Sequence, residues 1–107
     1  MRSTASLATA LATTLGAALM FGSSAPALAA PSGQTIGLTC VVCHGQGGQG
    51  SGAIPPLAAK GADHLYQEMA DFKSGKRLST VMNRHARGYS DEELKAVADY
   101  FASLPAK

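Results

Sequence analysis

The chain has 107 residues, nine Lys and Arg against seven Asp and Glu, no Trp and 12 glycines. The length is that of one domain, and the near balance of charge sets aside nucleic-acid binding, which needs a basic face.

The first 29 residues stand apart from the rest. Arg2 supplies a cation, Leu7 to Phe21 is an Ala- and Leu-rich apolar run, and small residues end in Ala27-Leu28-Ala29. That layout is a secretory signal peptide, expected to be cut after Ala29, with a cut after Ala27 as the neighbouring alternative. As a retained membrane anchor the run is short and is broken by Thr13, Thr14 and Gly16. No stable membrane insertion is expected once the signal is cleaved. Residues 30–107 are then the domain, 78 residues with eight basic against seven acidic side chains. So small a chain buries little of itself and usually needs a staple, a metal or a cofactor.

Residues 30–35 are small and polar and read as a frayed start. Ile36, Leu38, Val41 and Val42 lead into the cysteines, and a short helix is expected to end near Cys43. Gly45 to Ala53 is a glycine-rich loop. It lacks the Gly-Lys-Ser/Thr of a phosphate-binding loop and suits a backbone passing close to a flat group. Ile54-Pro55-Pro56-Leu57 is stiff because proline fixes φ. Leu65, Met69 and Phe72 recur at helical spacing from Asp63 to Ser74, with Asp63 as the expected cap and Gly75 as the stop. A shorter helical piece is expected from Ser79 to Arg87, closed by Gly88. The last helix carries a capping-box pattern, Ser90 with Glu93, and an apolar face of Leu94, Val97, Ala98 and Phe101. Pro105 stops it. No segment alternates as a strand. The expected class is all-α, three to four helices around one cofactor.

Cys40-Val41-Val42-Cys43-His44 names that cofactor. Cys-x-x-Cys-His is the pattern of covalent haem c attachment: each thiol adds to one vinyl group, and the next residue projects its imidazole at the iron. A thioredoxin-like redox pair would sit beside a βαβ pattern, which is lacking. A zinc site would want four protein ligands at finger spacing, which His64 and His85 do not provide. A disulfide across two residues would close too short a loop to stabilise much. Export agrees with attachment outside the cytoplasm.

A second axial ligand is expected from methionine, since Met/His ligation raises the potential of a cytochrome c. Met69 shares an apolar stripe with Leu65 and Phe72 and reads as a core filler. Met82 lies between two helical pieces, where a side chain can reach a haem face, and is preferred. His64 and His85 could ligate but sit in polar surroundings and read as surface residues. Met/His closure leaves no open iron position, which points to electron transfer. Exposed apolar surface is expected beside Cys40 to Gln46, where a partner would approach.

Beyond the motif, Gly45-Gln46-Gly47-Gly48 and Ala53-Ile54-Pro55-Pro56-Leu57 resemble class I cytochromes c of bacterial periplasms. Phe72 to Arg77, Thr80-Val81-Met82, Arg87 to Glu93 and Ala98 to Ala102 are similar to the cytochrome subunits of flavocytochrome c sulfide dehydrogenases. The resemblance covers nearly all of residues 30–107. It implies a small class I fold with Met82 on the iron, and with the Pro55 carbonyl holding the His44 ring. It also implies periplasmic export, a sulfide-oxidising flavoprotein of the FAD type as electron donor, and a downstream cytochrome acceptor. Asn83 and His85 carry no part of that resemblance, and one haem motif rather than two leaves a free soluble carrier as the alternative.

Overall fold

The computed structural model describes Gly22 and residues 24–107. The apolar run of the expected signal, Leu7 to Phe21, lies outside the described residues. No helix among those described is long and apolar enough to cross a membrane. The all-α expectation holds: the described residues form four α-helices and no strand, only one isolated bridge between Ser51 and Ile54.

Helix α1 spans Gly33–His44. Of the stretch expected to fray, 30–35, the last three residues are instead the start of this helix. The Ser32 Oγ accepts a hydrogen bond from the Thr35 N–H at 3.2 Å and caps it, as serine does where the first amides lack helical partners. Its first residues face α4, where two glycines permit a close crossing. A Cβ on Gly33 would overlap the Ala96 carbonyl, and one on Gly37 would meet the Tyr100 ring at 2.6 Å. The apolar residues of α1 divide between faces: Ile36 is buried, whereas Leu38 and Val42 point outward, Val42 at 83% exposure. The exposed apolar surface expected beside the cysteines is therefore present at Val42.

The glycine loop contains a single 3₁₀ turn, Gln46–Gly48. Gly48 is buried beneath Phe101, whose ring would lie 2.7 Å from a Cβ there, and its φ is +71°. Only glycine meets both demands. The Gly48 carbonyl accepts from the Leu57 and Ala58 amides at 2.7 and 2.9 Å, which fastens the proline segment to the loop.

Helix α2 spans Ala62–Ser74. Its N-cap is Gly61 with no side-chain bond, so Asp63 is not the cap. It lies in the first turn, where a carboxylate still favours the positive end of the dipole. Gly75 ends the helix in the left-handed region, as expected. Helix α3, Met82–Arg87, is shorter than the sequence implied. Ser79 stays outside it, and its Oγ accepts from the Asn83 amide at 2.9 Å. Helix α4, Asp91–Ser103, has both bonds of the Ser90–Glu93 capping box.

The core joins Ile36 of α1, Leu65 of α2, and Val97, Ala98 and Phe101 of α4. Helix α4 packs on both α1 and α2, and α3 rests on α2. Lys73 ties the end of α2 to the start of α4, donating to the Tyr89 carbonyl and the Asp91 carboxylate, each at 2.8 Å. One side of this core is not closed by protein, and the cysteines border it.

Candidate cofactor site

His44 is the last residue of α1, and its ring is buried at 8% exposure. The chain reverses at Gly45, and the Gly50 amide donates to the His44 carbonyl at 2.6 Å. The Ser51–Ile54 bridge then turns the chain back, so that the Pro55 carbonyl lies 2.8 Å from His44 Nδ1. A carbonyl only accepts, so Nδ1 carries the proton. The ring is fixed in orientation, and the lone pair of Nε2 is left to bind a metal. The glycine loop and the two prolines thus have one local result, the aiming of an imidazole.

That imidazole borders a cavity of about 860 Å³, within the size range of pockets that enclose a cofactor-sized ligand. Cys40, Cys43, His44 and Pro55 all line it, as do Met82 of α3 and Met69 of α2. Leu65, Phe72, Val97 and Phe101 supply apolar wall. Cys40 and Cys43 are both free. Three positions apart on a helix, they share a face. Cys40 is half-buried, and burial pushes its thiol pKa up, against a smaller lowering by the Thr39 side chain. Cys43 is exposed.

These residues fit a haem. Two thiols on one helix face, an imidazole oriented one residue later and a soft thioether border a single apolar-walled cavity. Among the described residues no group of three or more His, Cys, Asp or Glu could hold a metal ion.

Five residues predicted from the sequence therefore meet at one cavity. Three others meet there as well. Met69 belongs to the cavity wall and is only half-buried, outside the core cluster to which its stripe seemed to assign it. His64 and His85 are exposed, as expected, yet both border the cavity. Polar neighbours in sequence concealed this, because the wall is made by helix packing. The Arg77 guanidinium lies 4.9 Å from the Phe72 ring centroid and pairs with Glu68, and all three line the same cavity. The one local signal for that pairing is the placing of Glu68 and Phe72 four residues apart.

A family model described as cytochrome c matches residues 30–105. The cytochrome subunit of sulfide dehydrogenase from Chlorobaculum tepidum is 43% identical over 75 residues, covering 70% of this chain and 68% of that one. The thiosulfate dehydrogenase electron acceptor of Stutzerimonas stutzeri is 42% identical over 72 residues, 64% of this chain and 33% of the relative. Cytochrome c-553 of Nitratidesulfovibrio vulgaris is 41% identical over 93 residues, 82% of this chain and 89% of the relative. Among solved structures, the thiosulfate dehydrogenase TsdBA of Marichromatium purpuratum superposes with a TM-score of 0.60 at 37% identity, covering 62% of this chain and 15% of that one. Cytochrome c4 of Acidithiobacillus ferrooxidans gives 0.59 at 38% identity, covering 61% and 38%. The chain thus spans a third or so of several relatives and most of others.

Proposed function

The chain belongs to the cytochrome c family, with its all-α class I fold and one covalently bound haem c, and from that premise we propose that it is the exported electron-transfer subunit of a sulfide-oxidising flavoprotein. The observation that carries the electron-transfer part is the meeting of Cys40, Cys43, His44, Pro55 and Met82 at one cavity.

When bound, the haem supplies a one-electron iron couple. Cys40 and Cys43 hold it to α1 through their sulfurs. His44 would hold the iron through Nε2, while its Nδ1–H donates to the Pro55 carbonyl, which raises the basicity of the ring. Met82 would supply a second donor to the iron, a thioether that favours a high potential. Ile36, Leu65, Val97 and Phe101 keep water from that side. With His44 and Met82 both holding the iron, a substrate would find no open site on it, so a two-electron oxidation belongs on another cofactor, and a flavin can accept a pair and release single electrons. The names of the relatives support a sulfur-compound dehydrogenase as donor. Residues 1–29 act as the cleaved signal that brings the domain, 30–107, to the periplasm, where a further cytochrome accepts the electron.

The test is purification from the source under native conditions, with the spectrum of the haem-containing peak recorded after size exclusion at moderate salt. Flavin absorption in that peak, and haem reduction on adding sulfide, are expected. A lone monomer without flavin, whose haem is not reduced by sulfide with candidate flavoproteins, would contradict the subunit reading. It would leave the second one, a free carrier between membrane complexes. That second reading is favoured by the match over 89% of a relative named only as a cytochrome.

A further inference from the structure

We infer that His85 is a second iron ligand held in reserve, positioned to replace Met82 when that thioether is lost. The inference rests on the proposed ligation by Met82 and adds to it a residue that the c-type motif does not specify.

Met82 and His85 are the first and fourth residues of α3, and both border the cavity. Positions i and i+3 of a helix lie on one face. The two donors are therefore stacked along the same wall, one turn apart. His85 is exposed, and among the described residues its ring is held by no protein hydrogen bond or ion pair. Its free imidazole faces no competing partner. The segment that would have to yield is tied at Arg77, which pairs with Glu68 and lies over Phe72, and at Ser79, and is open between and beyond them. Gly75 to Val81 is not helical, and it exposes Leu78 at 94% and Val81 at 51%. Few buried apolar contacts make for a low local opening free energy. A slide of no more than one turn, about 5.4 Å, brings His85 to the level of Met82. His64 also borders the cavity but from the first turn of α2, a different element from the one that presents Met82.

In the exchange the bond from Met82 sulfur to iron breaks and one from an imidazole nitrogen of His85 forms. Both donors are neutral and each gives one electron pair, so the iron keeps its charge and oxidation state. A protonated ring first gives its proton to water. Oxidation of Met82 to its sulfoxide by a peroxide is one event that would remove the thioether. The consequence is a haem that stays closed to small molecules, at a lower potential, when its methionine fails.

The experiment uses the holoprotein as Met82→Ala, Met82→Ala/His85→Ala and Met82→Ala/His64→Ala, with carbon monoxide as the probe of an open iron. The single variant should lose the weak sulfur-to-iron band yet remain low-spin. Its reduced form should bind carbon monoxide at least about tenfold more weakly than the His85 double variant, because an internal ligand lowers apparent affinity by the fraction of open sites. The double variant lacking His85 should be high-spin, and the one lacking His64 should match the single variant. A single variant already high-spin and open to carbon monoxide would overturn the proposal, as would high-spin iron only on loss of His64. Persistence of the sulfur-to-iron band in Met82→Ala would instead overturn the Met82 assignment, so the two failures are distinguishable. If Met82→Ala folds poorly, Met82→Leu removes the donor while conserving volume, and the same outcomes apply.

Discussion

Cys40, Cys43 and His44 could be assigned from spacing alone because covalent attachment imposes that spacing on neighbouring residues. Pro55 is different. Its role lies in a backbone carbonyl that reaches His44 only because the chain turns back through Gly45 and the Ser51–Ile54 bridge, so it came from resemblance and is now given a geometry. The methionines separate less easily, since Met69 and Met82 line one cavity. A ligand and a wall residue nonetheless respond differently to substitution. Met82→Ala should abolish the weak red-end band of the oxidised protein and lower its midpoint potential. Met69→Leu should keep the band and cost about 1 kcal/mol of stability, as volume-conserving swaps do. Absorption spectra and denaturant melts of the two holoproteins check both, and the reverse pattern would exchange the roles.

Helix α4 was legible down to its cap because every signal lies within its 13 residues and the one before them: Ser90, the three acidic residues of its first turn and a single apolar face. Ser90→Ala should therefore cost about 1 kcal/mol, the usual worth of a side-chain cap, in an equilibrium melt. The start of α1 carries a local signal in its Ser32 cap, but it was hidden behind two glycines whose packing partner is another helix. Gly33 and Gly37 read as breakers by propensity, yet they are where α1 lies closest to α4. Gly33→Ala tests that. In a helix interior alanine would gain about 1 kcal/mol over glycine, less at a first position. Overlap with a backbone carbonyl that cannot rotate away costs about 1–3 kcal/mol. A net loss of stability is expected, read as a lower melting temperature, and a gain would show the crossing to be looser than described. Helix α3 was overestimated at its start because Ser79 bonds the Asn83 amide from outside the helix, a pattern that sequence alone reads as one continuous turn.

For the whole molecule, the cavity explains why so few residues suffice. The core joins α1, α2 and α4 on one side only, and an opening of about 860 Å³ remains at its centre. The haem fills the place that a larger chain would fill with side chains. Cys40→Ala with Cys43→Ala should leave a chain with little fixed tertiary structure, seen as loss of a cooperative melt in near-ultraviolet circular dichroism. A sharp transition in that variant would mean that the helices hold together unaided. Cavity membership, which none of the sequence patterns could express, is also what brought His64, His85 and Met69 to the site, because a wall assembled from four helices has no linear signature.

The attachment itself is the central claim, and intact and peptide mass spectrometry of the native holoprotein tests it most directly. The account predicts a chain beginning at Ala30 that keeps one haem through acid acetone extraction, with the added mass on a single peptide containing Cys40 and Cys43. A peptide of unmodified mass with two free thiols, its haem extracted into the solvent, would contradict it.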